Sequence, residues 1–296
     1  MNHTEIRSEF KKLSRDAIEL DFLGDYIPLN DKIWVQPMTG FVTSSRKLSA
    51  EDVAKYWSEV IFPDPSQESY SAHYPFAKAR LLYVLESIAQ FLKLDLTSNL
   101  AWCDFATGEG VFLELLRRFY PSVEIYGTEH STALVKRLKG QDFNVSERAL
   151  GNVIASHNKL FDISTLSWTL ANCIDPLAVL SDVVSQTKVG SYVCVAESSR
   201  ILVPFRKSLK DYFSPKTPAD LHPSNFSANT LRCLMQLAGL EICYTNRFFD
   251  SDVLLVIGKR VETEVEVTYF DSRNDVVEFF KQWDRYSHYF ESLRHR

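Results

Sequence analysis

The stretch LAWCDFATGEGVFLELLRRFY, residues 100–120, decides the fold. Its opening run, 100–105, is short and apolar, with an acid near its end and glycines after it, which reads as a buried strand. From residue 111 the apolar side chains recur at helical spacing. A strand, a glycine-containing turn and a helix form the first half of a parallel βαβ unit, and the pattern repeats downstream. Residues 123–129 (VEIYGTE) read as a strand, and 131–139 as a helix with Ser131 as N-cap and Gly140 as its stop. Residues 161–167 are a strand, and Asp175-Pro176 opens a helix running to about Gln186 as N-cap and first-turn proline. A strand over 191–198 follows. Ser227 caps a helix over 229–238 that Gly239 ends. The strands 240–249 and 252–260 are joined by Asp250-Ser251 as an antiparallel pair. Upstream, residues 76–94 place Ala79, Leu82, Leu85, Ile88, Ala89 and Leu92 on one helical stripe. Strands alternating with helices over 99–239 predict an α/β fold, a doubly wound and mostly parallel sheet closed by an antiparallel hairpin strand.

The flanking sequence differs in character. Residues 1–75 read as an N-terminal extension or cap with polar helical patches, and 28–48 as loop with short strands. Residues 76–260 form the ligand-binding domain. Within it, 199–226 lacks a strong pattern and reads as a lid, carrying Phe205, Lys207, Lys210, Tyr212, Phe213 and His222. Residues 261–296 form a helical tail. Its aromatics Phe279, Phe280, Trp283, Tyr286 and Tyr289 stand at helical spacing and pack either on the body or on a second subunit of a homodimer. Thirty-three Lys and Arg against 38 Asp and Glu leave a formal charge of −5, which argues against a nonspecific nucleic-acid binder. No apolar run reaches bilayer-spanning length, and the polar opening MNHTEIRSEFKKLSRD lacks the apolar core of a signal peptide, so a cytoplasmic location is expected. The five cysteines, at 103, 173, 194, 233 and 243, form no close pair, so neither a metal site nor a disulfide framework is expected.

The segment from Asp104 to Gly110 sits where such sheets bind ligands. Glycines there let the backbone approach a ligand, and the following helix offers its N-terminal amides. Nineteen residues after Gly110 comes Glu129, at the tip of the next strand, where an acid accepts both hydroxyls of a ribose. The third glycine of the dinucleotide fingerprint is replaced by Leu113. A carboxylate at Asp104 would meet like charge from a pyrophosphate, but opposite charge from an ammonium group. S-adenosylmethionine, with a ribose, an ammonium group and no phosphate, fits these residues better than NAD.

The sequence resembles the class I S-adenosylmethionine-dependent methyltransferases, whose fold is Rossmann-like. DFATGEG (104–110) looks like their first motif, with Ala106 at its first glycine, and YGTE (126–129) like their second-strand acid. Residues 159–198 are similar to the family's stretch of strand, Asp-Pro, helix, Lys-x-Gly and strand. Residues 220–242 look like the ending of the sugar and natural-product branch, without that branch's N-terminal zinc module. The resemblance covers about 76–258. It implies cofactor contacts from Asp104, Ala106, Thr107, Gly108, Gly110, Glu129, His130, Ser167 and Trp168, and it places Asn144, Leu150 and Gly151 near the expected adenine pocket, where they either touch the cofactor or do not. Ala171-Asn172 stands where related members carry Glu-His.

For catalysis, His222 is the candidate general base, because a neutral imidazole takes a proton near pH 7. Tyr70 and Tyr74, ahead of the first long helix, are candidates to cover the acceptor. Arg200 and the lysines at 207, 210 and 216 either hold an anionic acceptor or form a solvated lid face. The expected partner is a small-molecule acceptor, such as a nucleotide-linked sugar, methylated at carbon or oxygen. Ala106, Asn172 and the aromatic tail keep a second reading open, a catalytically degenerate S-adenosylmethionine-binding partner subunit.

Overall fold

The computed structural model describes residues 3–27, 31–44, 55, 75–148, 159–198, 201–205, 208–213, 222–246 and 253–294. Before the long helix come α1 (His3–Glu9), β1 (Ile18–Glu19), β2 (Ile33–Val35) and β3 (Val42–Ser44). The central region comprises α2 (Pro75–Leu92), β4 (Ala101–Phe105), α3 (Val111–Phe119), β5 (Glu124–Glu129), α4 (Thr132–Gly140), β6 (Asn144–Glu147), β7 (Phe161–Ser167), α5 (Pro176–Ser185) and β8 (Thr187–Glu197). Then follow α6 (Leu209–Phe213), β9 (Ser224–Asn225), α7 (Ala228–Leu237), β10 (Leu240–Thr245), β11 (Leu254–Arg260) and α8 (Arg273–Arg294).

Seven strands form the main sheet in the order β10-β11-β8-β7-β4-β5-β6. The run from β8 to β6 is parallel, and β11 is antiparallel to both of its neighbours. From β4 the chain winds outward through β5 to β6, then returns to place β7 on the other side of β4. The sheet therefore reverses its winding between β4 and β7, and ligands bind beyond the carboxyl ends of strands at such a reversal. The α/β prediction, with its mostly parallel sheet and antiparallel hairpin strand, is the architecture observed.

Alternation along the strands feeds two cores. Cys103, Phe105, Val193, Val195, Leu254 and Val256 face one side, where Leu177 and Leu180 of α5 and Leu231 and Leu234 of α7 cover them. Trp102, Cys194, Ala196, Leu255 and Ile257 face the other, under Val84, Leu85 and Ile88 of α2 and Phe112, Leu115 and Leu116 of α3. Strands buried on both faces are read as continuous apolar runs, as 100–105 was.

A second sheet, β1-β2-β3-β9, is antiparallel throughout. Its last strand comes from the region read as a lid, so that region is stitched to the N-terminal segment. A third core joins Ile33, Val35 and Val42 of this sheet with Ile201, Leu209 and Phe213, and with Val276, Phe279, Phe280 and Trp283 of α8.

Local signals held at the helix starts. Ser131 accepts the Leu134 amide, Asp175 accepts the Ala178 amide ahead of Pro176, and Ser227 with Thr230 forms a full capping box. Several boundaries differ from expectation, among them β10, which ends at Thr245 rather than 249, and the two that follow. Gly140 lies inside α4, whose C-cap is Gln141, and Asp142 takes the left-handed conformation there. Strand β8 begins at Thr187 rather than 191, because a bulge around the positive-φ Gly190 interrupts its pairing with β7 before Tyr192 resumes it. The expected Asp250-Ser251 turn lies outside the described residues. Among these, no helix is long and apolar enough to cross a membrane.

Candidate active site

Four adjacent parallel strands end in polar residues along one edge. Glu129 is the last residue of β5, Asp104 the penultimate residue of β4, Ser167 the last of β7 and Glu197 the last of β8. Register sets Asp104 beside Gly127 on one side and Thr165 on the other.

Asp104 is only 3% exposed, and its Oδ1 accepts the Thr165 hydroxyl at 2.6 Å. Burial pushes its pKa from 3.8 up to about 6; hydroxyl hydrogen bonds oppose the shift, while the charge of Glu129 adds to it. Glu129 is 4% exposed. Its Oε2 accepts the Gly108 amide at 2.9 Å, and its Oε1 accepts the Ser131 amide and His130 Nδ1, each at 3.0 Å. Burial favours its neutral form, but His130 and the two amides outweigh burial and hold the carboxyl below its ordinary range. Two neighbouring acids thus have environments that push their pKa values apart.

The loop between β4 and α3 lies against β5. Thr107 N donates to Thr128 O at 2.9 Å, and Ala106 N to the Thr128 hydroxyl at 3.3 Å. Ala106, at the family's first glycine position, adopts φ 56°, the left-handed conformation that glycine takes without strain. Gly110, at φ 81°, is the N-cap of α3, and a Cβ there would sit 2.3 Å from Leu138 Cδ2. At Gly108 the surroundings are open, with nothing within 4 Å of an added Cβ. The Ser167 hydroxyl is buried and finds no hydrogen-bond partner among the described residues.

A cleft opens beside these strand tips, lined by Trp168, Glu197, Tyr212, His222, Asn225 and Phe226 among others. It adjoins the ends of β7 and β8, and neither Asp104 nor Glu129 lines it. Glu197 is 1% exposed, and its Oε1 accepts the Leu170 amide at 2.6 Å and the Ala171 amide at 3.4 Å. Burial raises its pKa from 4.5 to about 7, against the pull of those amides. Trp168 takes φ 51° just after β7, and its Nε1 donates to the Ser198 hydroxyl at 3.2 Å. His222 Nδ1 lies 3.0 Å from Asn172 Oδ1. The Tyr212 hydroxyl donates to Asn225 Oδ1 at 3.0 Å, and its ring packs 4.8 Å from that of Trp283.

Of the residues singled out from sequence, Asp104, Ala106, Thr107, Gly108, Gly110, Glu129 and His130 gather at the β4 and β5 tips. Ser167 ends β7, and Trp168 and His222 flank the cleft. Tyr70, Tyr74, Leu150, Gly151, Arg200, Lys207 and Lys216 lie outside the described residues, and Asn144 opens β6. Sequence reasoning missed Glu197, read only as the end of a strand, and treated Asn172 only as a departure from a family pattern. Among the described residues no group of three His, Cys, Asp or Glu side chains is placed to hold a metal ion.

Comparison with solved structures identifies similar folds. The magnesium protoporphyrin IX methyltransferase of Synechocystis PCC 6803, solved with bound SAH, aligns with TM-score 0.52 at 14% identity, covering 72% of this chain and all of that one. A possible histamine N-methyltransferase from Thermotoga maritima aligns with TM-score 0.53 at 15% identity, covering 70% of this chain and 99% of the other. No curated protein sequence matches the chain. The sequence profile of the methyltransferase domain matches residues 74–245, from the start of α2 through β10 and hence across all four polar strand tips, and the chain belongs to that methyltransferase family.

Proposed function

We propose that this methyltransferase uses S-adenosylmethionine at the tips of β4, β5 and β7 and methylates a small-molecule acceptor held in the adjoining cleft. The observation that carries this reading is the pair of buried acids at neighbouring tips, Asp104 and Glu129. Burial makes the Asp104 charge costly, so a ligand ammonium that pairs with the carboxylate gains where solvent is scarce. Glu129 is held ionised, a strong acceptor for ribose hydroxyls. The open space at Gly108 and the unpartnered Ser167 hydroxyl fit a ligand in the same place. Ala106 keeps the left-handed backbone of the glycine it replaces, which supports a working first motif over a degenerate one.

When bound, S-adenosylmethionine supplies a methyl group already activated by its sulfonium. The chain's task is then positioning: the acceptor atom must lie in line with the methyl, which alone lowers the barrier by several kcal/mol or more, roughly 7–11 in favourable cases. Trp168 and Phe226 offer the acceptor apolar walls, and Tyr212, Asn225 and His222 offer it hydrogen bonds. Such a mixture suits a hydroxylated ring, so sugars and nucleotide-linked sugars are the acceptor class to test first, with His222 as the base for a hydroxyl. The N-terminal segment, the residues of the 199–226 region and α8 act as one cap over the acceptor side, through the core they share.

The test is incubation with methyl-labelled S-adenosylmethionine and a panel of free sugars, nucleotide-linked sugars and amines. Label in a hydroxylated acceptor, reduced at least tenfold in His222→Gln, is the expected result. Label confined to amines would replace the sugar reading, and failure of the wild-type protein to bind the cofactor would remove the whole proposal.

A further inference from the structure

A chain of hydrogen bonds beside the cleft fixes which nitrogen of His222 is basic. Asn172 Nδ2 donates to the Trp168 carbonyl at 3.2 Å. A carbonyl only accepts, so this contact decides which end of the amide carries the nitrogen, and Oδ1 is the end turned to His222. His222 Nδ1 lies 3.0 Å from that oxygen. The oxygen has no proton to give, so Nδ1 is the donor. A neutral imidazole protonated on Nδ1 carries its basic lone pair on Nε2.

Both partners are held in place. Asn172 ends the 3-10 turn Leu170–Asn172, whose Leu170 and Ala171 amides donate to the buried Glu197 carboxyl. The His222 carbonyl accepts Asn225 Nδ2 at 3.2 Å. Next along the chain, the Pro223 carbonyl accepts the Ser44 amide at 3.1 Å and the Thr43 hydroxyl at 3.0 Å, and the Ser224 hydroxyl donates to the Cys173 carbonyl at 3.0 Å. Two segments fifty residues apart in sequence are thus fastened to each other and to β3, with the imidazole at an edge of the cleft.

We propose that Asn172 is a positioning residue that holds His222 as its Nδ1–H tautomer, so that Nε2 is the atom that takes the proton of a hydroxyl acceptor. In that step the hydroxyl proton passes to Nε2, the oxygen's electron pair forms the new carbon–oxygen bond, and the pair of the broken carbon–sulfur bond stays on sulfur. The catalytic purpose rests on the transferase reading, whereas the tautomer is a property of the protein alone.

The experiment is nitrogen-15 NMR of the full chain labelled at histidine, recorded at a pH where the imidazole is neutral, with His222 assigned by the signals lost in His222→Gln. The expected spectrum shows His222 protonated at Nδ1. Asn172→Leu moves it toward the Nε2–H form, and Asn172→Asp, which keeps an acceptor oxygen in place, restores Nδ1–H. An Nε2–H signal in the wild-type protein overturns the proposal. So does Nδ1–H retained in a folded Asn172→Leu protein; should that variant not fold, the wild-type and Asn172→Asp spectra decide. A calorimetric titration of the wild-type protein with S-adenosylmethionine separates the two readings: Nδ1–H without cofactor binding overturns the catalytic role while the tautomer assignment stands.

Discussion

Asp104 combines two effects of opposite sign. Its folded pKa, about 6, lies above the ordinary 3.8, so between those values the folded chain binds more protons than the unfolded one. Stability therefore falls as pH rises through that window, by on the order of 3 kcal/mol once pH is above about 6. Asp104→Asn removes that penalty. Urea denaturation at pH 8 is expected to find the variant at least as stable as the wild type, and the fall between pH 4 and 6 reduced. Cofactor binding has the reverse sign: an ammonium group selects the carboxylate, so affinity rises with pH through about 6 in the wild type and is flat in Asp104→Asn. A carboxyl with only a structural role would still show the stability difference, which comes from burial, but not the difference in cofactor affinity. Gly110 tests the turn next to it. Gly110→Ala places a methyl group against Leu138 in a left-handed backbone and is expected to cost at least 1–2 kcal/mol in the same assay. The acids and glycines were legible in sequence because they lie within one short motif or at a fixed spacing from it. Asn172 was not, because its meaning comes from His222, and only the fold makes those two residues neighbours.

Helix starts were read correctly because their signals are local and chemical. The capping box of α7 carries a further connection, since the Ser227 hydroxyl also donates to the buried Asp271. Ser227→Ala leaves both the Thr230 amide and that carboxyl short of a partner. A loss of about 1–2 kcal/mol is expected by urea denaturation, against a few tenths for a surface serine such as Ser292. Strand β6 was not legible: Asn144–Glu147 is a four-residue edge strand with little apolar sequence, and its pairing with β5 defines it. The small sheet was hidden for a related reason. Its strands are two or three residues long, and β9 pairs with β3 across most of the chain. At Gly190 an apolar pattern starting at 191 was visible, but the paired residue before the bulge was not.

The molecule joins its seven-stranded sheet to a core built from three separate parts of the chain. Trp283 marks their meeting point, with its ring near those of Phe205, Tyr212, Phe279 and Phe280. Trp283→Ala is expected to cost about 3–5 kcal/mol and to expose the segment around Phe205 to protease, seen as a new early cleavage product. A helix merely lying on the surface would lose far less and leave the digestion pattern unchanged. The aromatic spacing of α8 was plain in sequence, whereas its partner was not, because 1–75 and 199–226 carry no strong periodicity of their own. In the proposed function Asp104 and Glu129 together grip an adenosyl ligand bearing an ammonium group. Calorimetric titration of the full chain with S-adenosylmethionine at pH 7.5 tests it most directly. Saturable binding to the wild type is expected, with affinity at least tenfold weaker in both Asp104→Asn and Glu129→Ala; no binding by the wild type, or wild-type affinity in both variants, would overturn that role for the two acids.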